Sequence, residues 1–384
     1  MADATSDSKV SREIDRVRVI QIDAEIQALE EKIRLLSMER LPHQQRLDAL
    51  RYPVLTLPNE IVSEIFVQFL PPYPLCPPHA GLFSPTTLTQ ICRKWRWIAE
   101  TTPRLWRAIS LPRPSMRGHA DGEQVHALES WVRRSARCPL SIQMSSGPLL
   151  AWQWSRNIGG LLLHRDRWEH LELDFLGHSY RSLDLAKLIG APMPLLRTLS
   201  LKAPQDITAD PVVFRDVPLL RSVTANNLTC PADFLPWAQL TSLTLCRATT
   251  FLRILSETVN LRELELIVPC AGVRLDDIKL PHLETLLVAH SYYHIPSDPV
   301  TRYLDALTLP KLHTLQIPEV FLGAEPIEAL TSFISKSGCK LQKVVILENG
   351  SLSEESYREA FPMISVFSCF DYIDEKSHSD LGSW

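Results

Sequence analysis

The chain has 384 residues, with 40 Lys and Arg against 44 Asp and Glu and a net charge of −4. That balance leaves no basic excess to neutralise phosphates and argues against nucleic acid as a partner. Hydrophobic residues make up 45% and charged residues 22%, ordinary for a soluble globular protein of two or three domains. No run of about 18 apolar residues offers a membrane span, and the polar stretch Met1 to Arg12 has no signal-peptide core. The eight cysteines form no Cys-x-x-Cys pair and stand beside no His pair at zinc spacing, so reduced thiols in a cytoplasmic or nuclear protein, with no metal site, are expected.

Residues from about 11 to 41 read as one helix. Val19, Ile22, Ile26, Leu29, Ile33 and Leu36 recur at alternating steps of three and four, with charges such as Glu25, Glu30, Lys32 and Arg34 between them. Pro42 is expected to end or kink the helix, and Leu47 and Leu50 to continue a second one. This short coiled-coil seam (19–36) has two readings. It pairs with another helix, a second copy included, or it folds back onto the rest of the chain.

Between Leu55 and Leu111 three helix starts are written. Pro58 opens the first, where its missing N–H costs nothing, and Ile61, Ile65 and Phe69 follow at helical spacing with Phe66 beside them. Ser84-Pro85 opens a second with the stripe Leu88, Ile91, Trp95, Ile98, and Thr102-Pro103 a third carrying Leu105 and Trp106. Three short helices make a small core that a partner would finish burying.

The order Leu57-Pro58-Asn59-Glu60-Ile61, Ile65-Phe66, Cys92-Arg93-Lys94-Trp95-Arg96, Ile98-Ala99 and Leu105-Trp106 resembles the F-box. That module docks a substrate receptor onto the Skp-family adaptor of a cullin–RING ubiquitin ligase. The resemblance implies a three-helix fold and an adaptor-binding role for Leu57, Pro58, Ile61, Ile65, Phe66, Leu88, Ile91, Trp95, Leu105 and Trp106. F-boxes join their first two helices by a short link, whereas here Pro71 to Pro85 is a Pro-rich loop. The layout with a long loop is similar to a broad group of fungal F-box-like proteins.

From about residue 139 the phrase Leu-x-x-Leu-x-Leu recurs, with other aliphatics allowed. Strong copies start at Leu196, Leu240, Leu261, Leu283 and Leu312, and weaker ones at Trp168, Leu220 and Leu341. The middle aliphatics are Leu171, Leu199, Val223, Leu243, Leu264, Leu286, Leu315 and Val344, spaced within the ~20–29 residues of leucine-rich repeats. Alternation makes each phrase a strand with one face inward. Phe251–Leu255 and Ile327–Leu330 suit outer helices, and Pro139 to Met144 suits a leading strand. An Asn usual at the ninth position is replaced by Pro204, Leu228, Ala248, Pro269, Ser291 and Val320, so an irregular solenoid is expected.

The expected class is therefore α/β: an N-terminal helical segment (1–52), an F-box (53–111), a repeat domain with parallel strands (112–372) and a tail (373–384). No nucleophile elbow, phosphate loop, dinucleotide fingerprint or zinc-protease helix is present, so no catalytic or cofactor-binding residue is assigned. Asp276-Asp277 reads as a solvated turn, and His290 and His294 around Tyr292-Tyr293 as a loop between repeats. The outward strand positions Thr198, Ser200, Ser242, Thr244, Glu263, Glu265, Thr285, Leu287, Thr314 and Gln316 are candidates for a surface that meets a protein. Together with the resemblance, this implies a non-catalytic substrate receptor of a ubiquitin ligase, bound to a Skp-family adaptor and a protein substrate. The rival is an interaction scaffold that recruits no ligase.

Overall fold

The aliphatic phrases fold as the rungs of a parallel sheet. In a computed structural model the described residues are 3–49, 56–111, 121–146, 159–175, 190–202, 213–214, 216–226, 234–246, 251–268, 277–290, 304, 306–347 and 352–370. Eleven strands lie side by side in chain order: β1 (Ala108–Leu111), β2 (Leu140–Ser146), β3 (Trp168–Phe175), β4 (Thr198–Lys202), β5 (Ser222–Asn226), β6 (Ser242–Cys246), β7 (Glu263–Val268), β9 (Thr285–His290), β11 (Thr314–Pro318), β12 (Lys343–Leu347) and β13 (Val366–Phe370). Two short strands, β8 (Ile278–Lys279) and β10 (Leu307–Thr308), pair with each other.

One register runs along the sheet, apart from an irregularity between Leu140 and Ser141 where β2 pairs with β3. Ile109, Ile142, Leu171, Leu199, Val223, Leu243, Leu264, Leu286, Leu315, Val344 and Phe367 stand opposite one another from strand to strand. All eleven are buried. Because side chains alternate along a strand, this ladder sends the residues on either side of it to the other face.

The recurrent prolines have a structural reason. Before six strands a tight turn closes with a backbone N–H donating to the carbonyl three residues earlier: Leu196 to Met193, Leu220 to Val217, Leu240 to Trp237, Leu261 to Thr258, Leu283 to Leu280 and Leu312 to Leu309. Pro194, Pro218, Pro281 and Pro310 occupy the second position of four of these turns, where a fixed φ is already correct. Each turn thereby drops the first Leu of the phrase into the core.

The connections vary. Helices appear where the sequence asks for them, α6 (Phe251–Glu257) and α7 (Pro326–Ser337), the latter closed by Gly338 in the left-handed region at φ 64°. Single 3-10 turns at Trp237–Gln239 and Glu319–Leu322 serve elsewhere. Of the residues at the ninth repeat position, Val320 lies exposed in the second of these turns, and Pro204, Leu228, Ala248, Pro269 and Ser291 lie outside the described residues. Asp276, Tyr292, Tyr293, His294 and the segment 373–384 also lie outside them, whereas Asp277 is exposed and pairs with Lys336 at 3.1 Å.

The chain divides into two compact units, Met1–Val62 and Ser63–Trp384. The first is dominated by α1 (Asp3–Ala49), which runs through Pro42 and so corrects the expectation that a second helix follows it. The proline removes one N–H donor, but the flanking residues Glu39, Arg40, Leu41, Gln44, Gln45, Arg46 and Leu47 are good helix formers. Arg46 Nε also donates to the Pro42 carbonyl at 3.3 Å. Leu47 therefore belongs to the same helix, and Leu50 lies outside the described residues.

Helix α2 (Asn59–Phe69) crosses the division, and its first turn closes through Val62 N–H on the Pro58 carbonyl at 3.1 Å. The second expected helix is two. α3 (Pro85–Ile91) is capped by Ser84 Oγ, which accepts from Thr86 N–H at 3.2 Å. Cys92 is then fully extended (φ −155°, ψ 170°) and α4 (Arg93–Glu100) restarts from it, with Cys92 Sγ accepting from Trp95 N–H. Arg96 Nε ties the pair together by donating to the Thr89 carbonyl at 2.8 Å. The third expected helix is a 3-10 turn, Pro103–Trp106, and Thr102 sends its hydroxyl back to the Ile98 carbonyl instead of capping that turn. Directly after this turn the chain enters β1.

Candidate functional site

Two surfaces follow from this construction, one helical and one on the sheet. Phe66, Leu88, Leu105 and Trp106 are buried, together with Ile98 and Ala99. They form the interior on which α3 and α4 sit, so these four are supporting residues rather than points a partner can touch. Trp106 is held by Nε1 donating to the Ala99 carbonyl at 2.8 Å, by an edge-on contact with Trp131 of α5 (Asp121–Arg134), and by the Arg134 guanidinium over its ring.

What remains outside is apolar. Ile65 on α2 is 48% exposed, and Ile91 at the end of α3 and Trp97 on α4 are each 56% exposed. Trp95 is half-buried edge-on against Phe66, with ring centroids 4.9 Å apart, and its Nε1 is buried without an acceptor. Leu82 and Phe83, in the loop before α3, are exposed as well. The break at Cys92 explains the split among the expected stripe: Leu88 and Ile98 go inward while Ile91 turns out. Trp97 was not among the residues expected from the sequence. Its position off the Trp95/Ile98 stripe was the available signal. In the first unit, Leu57 is half-buried, Pro58 is exposed, and Ile61 is 50% exposed. In the second unit the uncovered Ile65, Leu82, Phe83, Ile91 and Trp97 are the kind of apolar exposure that marks a protein-binding surface.

The Pro-rich loop is not a loose insertion. Tyr73 packs its ring edge-on to His170, carries the Arg107 guanidinium 3.7 Å from its ring centroid, and donates its hydroxyl to Glu169 Oε2 at 2.9 Å. Ser141 Oγ donates to the Pro74 carbonyl at 2.7 Å, and Cys76 Sγ lies against Ser141. His79 bonds the Ser110 carbonyl and packs on Trp131. Burial pushes the Cys76 thiol up to about 12 and raises the Tyr73 hydroxyl beyond its ordinary range, the bond to Glu169 adding to the latter. The loop is thus a strap across the outward positions of β1, β2 and β3. Replacing Tyr73 by Ala is expected to release it and to lower stability by about 2 kcal/mol, read as a drop in the midpoint of urea unfolding.

Burial lowers the His170 pKa beneath the strap; Glu169 opposes the shift, and Arg197 and Arg107 reinforce it. The folded chain therefore favours neutral His170. Its contribution is complete above the unfolded value near 6.5 and is lost as pH falls below it. A His170→Asn variant is expected to flatten the fall in stability as pH drops below about 6.5, which thermal melts at decreasing pH would show.

From β4 onward the outward face is uncovered by the strap. Thr198, Ser200, Ser242, Thr244, Glu265, Thr285, Leu287, Thr314 and Gln316 are half-buried on it and Glu263 is exposed. The row changes character along the sheet. Lys202 reaches back to Glu172 at 2.8 Å and His170 Nδ1 meets Thr198 Oγ1 at 2.6 Å. Hydroxyls dominate β5 and β6, and Thr244 Oγ1 donates to Glu265 Oε2 at 3.0 Å. On β9 to β13 apolar residues join the row, with Leu287, Ala289, Leu347 and an exposed Phe370 standing among Thr285, Thr314, Gln316 and Lys343. Phe370 was not anticipated, because β13 carries none of the repeat phrase.

Among the described residues no group of three or more His, Cys, Asp or Glu could hold a metal, and no helix is long and apolar enough to cross a membrane. No protein-family model matches the chain, and none of the curated proteins matches it.

Proposed function

We propose that the chain is a substrate receptor of a Skp–cullin–RING ubiquitin ligase. In this reading α2 to α4 and the following turn are an F-box, and the sheet with its turns is an irregular leucine-rich-repeat solenoid. The observation that carries it is the pairing of the motif order with exposure. Ile61, Ile65 and Ile91, which stand at motif positions, are large apolar residues left uncovered, while the motif residues Phe66, Leu88, Leu105 and Trp106 are buried. Sequential parallel strands, six of them preceded by the same kind of turn, support the repeat reading.

On this proposal the receptor has no reacting group of its own. It raises the effective concentration of a target lysine near a loaded conjugating enzyme, so the chemistry is that of proximity. The substrate is a protein that meets the outward row from β4 to β13, in the cytoplasm or nucleus. Calorimetric titration of the full chain with a purified Skp-family adaptor tests this. A saturable one-to-one complex is expected. Absence of heat and of co-elution at tens of micromolar would leave the rival, an interaction scaffold that recruits no ligase.

A further inference from the structure

Every residue of α1 from Glu13 to Leu47 is exposed, including the whole stripe Val19, Ile22, Ile26, Leu29, Ile33 and Leu36. A lone helix with six uncovered aliphatics on one stripe is marginal in water, so something must cover it. The charges around the stripe say what. We propose that α1 pairs with α1 of a second copy of this chain, and that the pair is antiparallel. This inference does not rest on the ligase reading.

Write the stripe as a seven-residue repeat, with Val19, Ile26 and Ile33 at the first core position and Ile22, Leu29 and Leu36 at the second. One antiparallel register buries all six in every copy: Val19 faces the second copy's Leu36, Ile22 its Ile33, and Ile26 its Leu29. Extending that register by one layer at each end brings Asp15 against the second copy's Arg40. In a parallel, in-register pair the same two core positions would set Asp15 against Asp15 and Arg40 against Arg40.

The flanking row agrees. Arg18, Glu25, Lys32 and Glu39 precede the first core position at seven-residue steps and alternate in sign. Antiparallel pairing matches Arg18 with the second copy's Glu39 and Glu25 with its Lys32, each twice by symmetry. The cost is one repulsive contact, Asp23 with Glu30, also twice. In the parallel pair Glu25 would meet Glu30, and only Arg18 with Asp23 would attract. Opposite charges across such a seam set partner and orientation. The internal ion pair Glu31–Arg34, at 2.6 Å, uses positions that point away from the seam, and Pro42 lies beyond its last apolar layer. With a rise of about 1.5 Å per residue, the two chains would leave the paired helices roughly 65 Å apart, at opposite ends.

The test is sedimentation equilibrium of the full chain and three variants. The wild type is expected to be a dimer at tens of micromolar, and Ile26→Asp a monomer. Asp15→Arg turns two attractive contacts into repulsive ones and is expected to weaken the dimer about tenfold, while Asp15→Arg combined with Arg40→Asp restores it. Circular dichroism of each variant checks that the helix itself persists. A monomeric wild type overturns the proposal. So does a dimer indifferent to Asp15→Arg, the response of a parallel pair, or one that the second substitution fails to rescue.

Discussion

Leu264→Asp is expected to lower stability by about 3 kcal/mol or more, whereas Glu265→Lys, one residue away, should change it by less than about 1 kcal/mol. Leu264 is 1% exposed and stands in the ladder between Leu243 and Leu286. A carboxylate there would be buried in hydrocarbon, with no cation among the ladder residues to pair with. Glu265 lies on the outward row, where its contact is the Thr244 hydroxyl. Losing a half-exposed hydrogen bond is a small change. Denaturant unfolding of both variants checks the contrast. Equal midpoints would mean that the strands are shifted by one residue, which would exchange the two faces of the sheet.

The second large effect is expected at the helical surface. Ile65→Asp combined with Ile91→Asp should weaken capture of a Skp-family adaptor at least about 100-fold, because exposed apolar anchors at the centre of an interface carry most of its energy. Both side chains are about half exposed, so the melting temperature should hardly move. Phe66→Ala should do the reverse. It removes a buried ring that packs on Trp95 and is expected to cost about 3 kcal/mol of stability, with adaptor affinity changing only as folding does. Calorimetry and thermal melts on the same preparations separate the two behaviours. A double variant that binds the adaptor as the wild type does would remove these helices from the interface.

The sheet was legible in the sequence because its determinant is local. A period of two in aliphatic residues fixes which face is buried, and steps of 20 to 29 residues bring each phrase beside the last. The two ends were not legible. β1 (Ala-Ile-Ser-Leu) follows directly on a helical turn with no turn residue to separate them, and Val-Phe-Ser-Cys-Phe in β13 lacks the leucines of the phrase. Both are strands because a neighbour with unpaired backbone groups recruits them, a non-local cause. The same holds at Cys92. Leu88 to Ile98 has unbroken helical spacing, yet the chain restarts there, with the Cys92 thiol and Arg96 holding the two pieces. Pro42 errs in the other direction, since a single missing donor does not stop a helix most of whose neighbours favour it. The strap from Tyr73 to His79 could not be read at all. Its anchors Ser110, Ser141 and Glu169 are between 31 and 96 residues away in sequence.

Part of the exposed apolar surface was legible and part was not. Motif order singled out Ile61, Ile65 and Ile91, which are exposed, but gave equal weight to Phe66, Leu88, Leu105 and Trp106, which are buried, because sequence order cannot separate the outside of a small core from its inside. Trp97 was passed over for the same reason.

The most direct measurement is hydrogen–deuterium exchange of the full chain with and without a purified Skp-family adaptor. Protection concentrated in residues 57–69 and 88–98, with the strands from β4 to β13 unchanged, is the expected result. Protection confined to the sheet, or no protection at adaptor concentrations of tens of micromolar, would contradict the assignment of the helical surface to the adaptor.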